Sequence, residues 1–170
     1  MSDGGRRREA NAVDLYLVRH GHAGNADAWR GPDDTRPLSA RGRDQAARLA
    51  TFLARVGAPP LILTSPKLRA SETAAPIADA TRAQIRVEPI LGSAPDLVDI
   101  ERLLSQVGDP DRVLLVGHDP DFTQLVEELT GAASIPMPKA ALARLTCRRP
   151  LVPGSGVLRW LVPPDLLAEA

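Results

Sequence analysis

The chain has 170 residues, and its 21 Lys and Arg balance 21 Asp and Glu, which gives a formal net charge of zero. This balance argues against a dedicated nucleic-acid-binding protein, which usually carries an excess of basic residues on one face. Cys147 is the only cysteine, which excludes an intrachain disulfide and a cysteine-based zinc cluster. No apolar stretch is long enough to span a membrane. The length predicts a single domain, at residues 13–165, with a substantial core.

Residues 1–12 are predicted to be a disordered tail. The arginines at positions 6–8 are followed by no apolar segment, so the sequence does not have the pattern of a secretory signal. We therefore expect a cytoplasmic protein.

Strand and helix patterns alternate from residue 15 onward. Residues 15–18 form a short apolar run that indicates a buried strand. The polar residues 23–37 predict a long loop, and loops of this length are often functional. Ser39 can cap a helix that ends at Gly57. Its apolar positions recur at helical spacing: Ala46, Leu49, Ala50 and Leu53.

The pattern continues with strands predicted at residues 61–64, 85–87 and 112–116. Helices are predicted from Ser65-Pro66 to about Ala80, at residues 96–107 and at residues 119–129. Residues 140–146 and 156–162 are predicted to be late strands. Strands that alternate with helices indicate a largely parallel sheet that is covered on both faces.

Polar side chains follow three of these strands. Arg19 and His20 follow the first strand, Arg69 comes shortly after the second, and His118 follows the strand at residues 112–116. Ligands of open α/β sheets bind at the carboxyl ends of the strands, so one crevice is expected to collect these residues. Arginine suits an oxyanion, and histidine suits nucleophilic or proton-transfer chemistry.

Four motifs between residues 14 and 146 resemble the histidine phosphatase superfamily, and the pattern is most similar to the SixA-type protein phosphohistidine phosphatases. The motifs are Leu17-Val18-Arg19-His20-Gly21, Arg36-Pro37-Leu38-Ser39-x-x-Gly42, Ser65-Pro66-x-x-Arg69-Ala70-x-x-Thr73-Ala74 and Val116-Gly117-His118-x-Pro120. The resemblance implies a phosphoglycerate mutase-like fold, with three α/β/α layers around a mostly parallel central sheet.

The resemblance also implies a role for each motif residue. His20 would be the nucleophile, and Arg19, Arg69 and His118 would hold the phosphoryl oxygens. His22 is a further candidate for substrate binding. Nearby guanidinium groups would keep the imidazole of His20 neutral, with a lone pair available. No metal ion and no cofactor are implied.

The general acid is left open. Some members of the superfamily use a carboxylic acid to protonate an alcohol leaving group, and Glu88, Asp96 and Asp119 are the candidates here. Neither Glu88 nor Asp96 lies in the pattern associated with that role, and Asp119, which adjoins His118, is alternatively a cap of the following helix. A phosphoramidate such as phosphohistidine depends less on a protein acid, once its nitrogen is protonated.

The leading hypothesis is a metal-independent phosphatase acting on phosphohistidine in proteins, with a histidine phosphotransfer domain as partner and no nucleic-acid polymer or membrane. The first alternative is a small-molecule phosphatase. It rests on the segment Trp29-x-Gly31-Pro32-Asp33-x-x-Arg36-Pro37-Leu38, which resembles histidine phosphatase domains that accompany nucleotide-hydrolysing Nudix domains. A non-catalytic phosphoryl-binding module is the second alternative.

Overall fold

The computed structural model describes residues 11–167, which contain six strands and four α-helices. The strands are β1 (Ala12–Arg19), β2 (Leu61–Thr64), β3 (Gln84–Val87), β4 (Arg112–Gly117), β5 (Leu142–Arg148) and β6 (Gly156–Val162). The α-helices are α1 (Ala40–Val56), α2 (Leu68–Thr81), α3 (Leu97–Gln106) and α4 (Asp121–Thr130). Strand β1 takes in the last residue of the predicted tail, and residues 1–10 of that tail lie outside the described residues.

The strands form one mixed sheet in the order β3-β2-β4-β1-β5-β6. The first four strands of this order pair in parallel, whereas β5 is antiparallel to β1, and β6 is antiparallel to β5. The mostly parallel α/β sheet predicted from the sequence is thereby confirmed.

Two apolar cores lie on opposite faces of the sheet. Side chains alternate along a strand, so Leu15 and Leu17 of β1 pack into the core that contains α3 and α4. Tyr16 and Val18 pack into the core that contains α1 and α2. The result is the expected three-layer α/β/α arrangement. None of the helices within residues 11–167 is long and apolar enough to cross a membrane.

Some element boundaries differ from those predicted. Helix α2 begins at Leu68 and not at Ser65, because Lys67 keeps an extended backbone and donates its N–H to the hydroxyl of Ser65. Helix α4 begins at Asp121, two residues later than predicted. Strand β5 begins only after Ala140, which has a φ of 64°. These shifts leave short irregular segments beside the strand ends that matter for the site.

Candidate active site

The topology brings three strand ends to one edge of the sheet. Strands β2, β4 and β1 are neighbours and run in the same direction. The residues that follow them are Ser65, His118 and His20. Arg69 is the second residue of α2, the helix that follows β2.

A cavity of about 460 Å³ lies at this edge, and the four predicted residues Arg19, His20, Arg69 and His118 all line it. His20, Arg69 and His118 are only 7%, 5% and 8% exposed. The rings of the two histidines are 5.2 Å apart. The other lining residues are Arg36, Lys67, Gly92, Ser93, Ala94, Asp119, Asp121 and Lys139.

His20 is held as a neutral imidazole with its proton on Nδ1. Its Nδ1 lies 2.7 Å from the carbonyl oxygen of Gly21. A carbonyl only accepts, so Nδ1 must donate. The pKa of His20 is lowered to about 3, chiefly by burial and in smaller part by the nearby His118, Arg69 and Arg19, against the raising effect of the Gly21 carbonyl. At neutral pH, Nε2 therefore keeps a lone pair.

Arg69 joins His20 to the loop before α1. Its Nε donates to Nε2 of His20 at 3.3 Å. Its terminal nitrogens donate to the backbone oxygen and the carboxylate of Asp33, at 2.8 and 2.9 Å. These contacts use three of the five guanidinium N–H groups, which leaves two for an anion in the cavity.

Arg19 is held by contacts with Met137 and Asp119. Its NH1 group donates to the backbone oxygen of Met137 at 2.6 Å and lies 3.5 Å from the carboxylate of Asp119. Its Nε is buried and has no hydrogen-bond partner among residues 11–167. An unpaired buried donor is costly, and an oxyanion in the cavity would satisfy such a group.

His118 contacts the residue that follows β2. Its Nε2 lies 2.7 Å from the hydroxyl of Ser65. Its Nδ1 is buried and has no hydrogen-bond partner in the described part of the chain. Burial, assisted by the charges of Arg69 and Lys67, lowers the pKa of His118 to about 4, so this imidazole is neutral at pH 7.

Two motif glycines let backbone segments meet behind His20. A Cβ on Gly21 would lie 2.9 Å from the backbone oxygen of Gly42. A Cβ on Gly42 would lie 2.0 Å from the backbone oxygen of His22. Any larger residue would therefore push α1 away from the loop that carries His20.

His22 does not line the cavity that contains the other four predicted residues. Its Nδ1 lies 2.7 Å from the hydroxyl of Ser39. The side chain lines a separate hollow of about 270 Å³, together with Arg41 and Lys139. The structure thus brings together four of the five predicted site residues and places the fifth, His22, in a neighbouring hollow.

The carboxylates of the cavity are not those that the sequence singled out first. Asp96 caps α3 by accepting from the N–H of Asp99 at 2.8 Å, and Glu88 lies 3.8 Å from Arg86. Neither lines the cavity, whereas Asp119 and Asp121 do. Burial raises the pKa of Asp121. Asp119 accepts from the hydroxyl of Thr123 at 2.5 Å, besides its contact with Arg19.

Sequence reasoning gave no site role to Asp33, Ser65 or Asp121. Asp33 lies in the long loop and in the segment that resembles Nudix-associated domains, but neither signal shows that its carboxylate reaches Arg69. Ser65 begins the third motif, but that motif gives it no role beyond the predicted start of a helix. Asp121 stands three residues after His118, a spacing that could have indicated the same cavity.

Comparison with known proteins gives a family match and several relatives. The sequence model of the histidine phosphatase superfamily (branch 1) matches residues 15–92. A curated relative from Mycolicibacterium smegmatis, an 8-oxo-(d)GTP phosphatase, is 30% identical over 125 residues. The match covers 71% of this chain but only 38% of that protein, so the chain spans less than two fifths of the relative's length.

Solved structures resemble almost the whole chain. The protein histidine phosphatase SixA, in complex with tungstate, is 26% identical with a TM-score of 0.78, over 91% of this chain and 99% of that one. A protein assigned as phosphohistidine phosphatase SixA, from Agrobacterium tumefaciens, is 25% identical with a TM-score of 0.73, over 89% and 98% of the two chains.

Proposed function

Because the chain belongs to the histidine phosphatase superfamily, we propose that it is a phosphatase that works without a metal ion, through a phosphohistidine formed on His20. We assign the activity to one domain at residues 13–165. Arg19, Arg69 and His118 hold the phosphoryl group, and the leading substrate is phosphohistidine in a protein such as a histidine phosphotransfer domain.

The orientation of His20 carries this proposal. The Gly21 carbonyl takes the proton of Nδ1 at 2.7 Å, which leaves the lone pair on Nε2 at the cavity side, beside Arg69. Phosphoryl transfer depends chiefly on alignment and charge neutralisation, and two guanidinium groups provide both. The SixA structure in complex with tungstate, an oxyanion, supports an anion site in this fold.

The reaction has two displacements. Nε2 of His20 gives up the hydrogen bond from Arg69 Nε and attacks phosphorus. A P–N bond forms, and the bond between phosphorus and the leaving group breaks with its electron pair going to that group. Water then attacks the phosphohistidine and breaks the P–N bond, which releases inorganic phosphate and returns the lone pair to Nε2. In both steps Arg19 and Arg69 offset the negative charge on the phosphoryl oxygens.

Trapping the intermediate tests the proposal. The enzyme is quenched during turnover of a ³²P-labelled phosphoryl donor, and the label is mapped by peptide analysis. Acid-labile, alkali-stable label on His20 is expected, and it disappears in His20→Ala but persists in His22→Ala, a matched histidine outside the cavity. Label on Ser65, Cys147 or an aspartate would overturn the assignment, as would full activity of His20→Ala.

A small-molecule substrate is the second candidate, and a specific observation favours it. Trp29 is 39% exposed and lines a shallow, mainly apolar hollow with Pro37 and Leu38. Arg36 lines both this hollow and the cavity with His20. A planar group on the hollow could therefore belong to a molecule whose phosphate enters the cavity, and the 8-oxo-(d)GTP phosphatase relative points to nucleotides.

The non-catalytic alternative is the weakest, because His20, Arg19, Arg69 and His118 are all present and line one cavity. One assay panel separates the three functions. It compares kcat/KM for a phosphohistidine protein, nucleoside di- and triphosphates, and sugar phosphates. The highest value for the protein supports the leading substrate, the highest for nucleotides supports the second candidate, and binding without turnover supports the third.

A further inference from the structure

Lys139 is a cation at the border of two hollows. It lines the cavity that contains His20 and also the neighbouring hollow with His22 and Arg41. Within residues 11–167 neither Lys139 nor Arg41 makes a hydrogen bond or an ion pair through its side chain. One carboxylate, Asp165, also lines the hollow.

The other cations of the cavity are already paired with carboxylates. Their shortest ion-pair distances are 3.5 Å for Arg19 with Asp119, 2.9 Å for Arg36 and Arg69 with Asp33, and 3.6 Å for Lys67 with Asp34. Lys139 is thus the one cation among the described cavity residues that lacks an anion.

Positive charge converges on Lys139. Burial lowers the pKa of Lys139, and Arg19, Arg36, Arg41 and Arg69 lower it further. Lys139 and Arg41 also contribute, after burial, to lowering the pKa of His22. An anion placed among these groups would relieve their repulsion and gain charge-assisted hydrogen bonds.

We propose that Lys139 and Arg41 bind a second anionic group of the substrate, beside the phosphoryl group that is transferred to His20. The inference rests on the proposed phosphatase site and narrows its substrates to compounds with two neighbouring anionic groups. The shared chemistry is a pair of oxyanions. The second one comes either from another phosphate of a small molecule or from an acidic side chain next to a phosphohistidine.

The first test uses titration calorimetry with two non-hydrolysable probes. Methylphosphonate carries one anionic group, and methylenediphosphonate carries two. The wild-type chain should bind methylenediphosphonate more tightly. The Kd for methylphosphonate divided by the Kd for methylenediphosphonate should fall about 10-fold in Lys139→Gln, the scale of one lost charge-assisted hydrogen bond. Lys139→Arg should restore most of the ratio.

The second test distinguishes the source of the anion. The His20→Asn variant, with and without Lys139→Gln, is titrated with two phosphohistidine peptides that differ by Asp or Asn next to the phosphohistidine. If Lys139→Gln lowers the binding preference only for methylenediphosphonate over methylphosphonate, the substrate is a diphosphate. If it lowers only the preference for the Asp peptide over the Asn peptide, the substrate is an acidic phosphoprotein.

The control is Arg48→Gln, which removes one positive charge from α1, where Arg48 is paired with Asp44. It should leave both ratios unchanged. Equal falls in Arg48→Gln and Lys139→Gln, or no fall in either ratio, would overturn the second anion site. Binding requires no turnover, so this result is distinct from failure of the proposed phosphatase function, which would appear as absence of hydrolysis.

Discussion

The hydroxyl of Ser65 lies 2.7 Å from Nε2 of His118. The same hydroxyl accepts from the N–H of Lys67 at 3.2 Å, and its own hydrogen can be donated to Nε2. Because the pKa of His118 is lowered to about 4, the ring is neutral at pH 7 and carries a single proton. We predict that this proton lies on Nδ1, which is buried without a hydrogen-bond partner in the described part of the chain and could donate to a phosphoryl oxygen.

Ser65→Ala should therefore change the tautomer of His118 as well as the rate. We expect kcat to fall about 10-fold, as for the loss of one hydrogen bond to a buried group. The ¹⁵N shifts of His118 should move from one tautomer toward a mixture. Ser71→Ala, which removes a hydroxyl from α2 that donates to the Leu68 carbonyl, is the matched control. An unchanged His118 spectrum in Ser65→Ala would contradict the assignment.

Replacement of Arg69 by lysine should not be conservative. Arg69 reaches His20 and Asp33 through three separate N–H groups, and a lysine ammonium cannot reproduce this planar fork. We expect kcat/KM to fall about 30- to 1000-fold, equivalent to about 2–4 kcal/mol of lost transition-state stabilisation. Steady-state kinetics with 4-nitrophenyl phosphate measures the change.

Arg48→Lys is the control for this substitution, because Arg48 pairs with Asp44 on the exposed side of α1. It should have less than a 2-fold effect, within the range of surface substitutions. Arg43 is a poorer control, since it donates to the backbone oxygen of Leu38 at 2.7 Å. Similar small effects for Arg69→Lys and Arg48→Lys would remove Arg69 from the phosphoryl site.

The motif residues at strand ends were predictable because strand periodicity and topology act together. The apolar run of β1 and the run of β4 are strong local signals, and neighbouring parallel strands carry His20 and His118 to the same edge. The antiparallel pairing of β5 and β6 was not predictable from their composition. Strand direction depends on the whole sheet, and the apolar pattern of a strand is the same in either direction.

The contacts around these residues were not predictable. The link from Asp33 to Arg69 spans 36 positions and depends on how the loop before α1 folds back. The contact between Ser65 and His118 depends on the chain remaining extended to Lys67, against the helix start that Ser65-Pro66 favours. Burial of the two histidines, which sets their protonation, also follows only from the assembled cavity.

Stability should fall as the pH falls below 6.5, because both cavity histidines are buried in the neutral form. Their folded pKa values, about 3 for His20 and about 4 for His118, lie below the unfolded value of 6.5. Between these values the unfolded chain binds protons that the folded chain does not, so the free energy of unfolding rises with pH. The contribution of each histidine to the free energy of unfolding should be about 2 kcal/mol lower at pH 5 than at pH 7.

Urea unfolding at the two pH values measures this dependence. In the His20→Gln variant, the difference in the free energy of unfolding between pH 5 and pH 7 should be smaller by the contribution of His20, whatever the stability of the variant at pH 7. A pH dependence equal to that of the wild-type chain would mean that His20 titrates alike in the folded and unfolded states.

Activity should persist in excess chelator. Within residues 11–167, no three His, Cys, Asp or Glu side chains form a group that could hold a metal ion, and the proposed chemistry draws its positive charge from Arg19 and Arg69. Turnover of 4-nitrophenyl phosphate in excess EDTA should equal turnover without it, and vanadate should inhibit as an analogue of the transferring phosphoryl group. Loss of activity in chelator, restored by zinc or magnesium, would contradict the proposal.

Replacement of Asp121 should make the reaction more dependent on the leaving group. Asp121 lines the cavity, and burial raises its pKa, so it keeps a proton to higher pH than an ordinary aspartate. A positioned acid typically contributes about 10²–10⁴-fold when the leaving group is poor. Asp121→Asn should therefore reduce kcat/KM by about 100-fold for phenyl phosphate and leave 2,4-dinitrophenyl phosphate nearly unchanged, since its leaving group needs no proton.

Asp96→Asn is the matched control, because the same chemical change is made at the cap of α3, outside the cavity. Asparagine caps helices about as well as aspartate, so neither stability nor the leaving-group dependence should change. Asp96→Ala, by contrast, should lower the free energy of unfolding by about 1 kcal/mol with the same leaving-group dependence as the wild-type chain. An equal loss of activity on both aryl phosphates in Asp121→Asn would assign Asp121 to binding and not to proton transfer. A leaving-group effect in Asp96→Asn would place the acid at Asp96, against the position of that side chain at the start of α3.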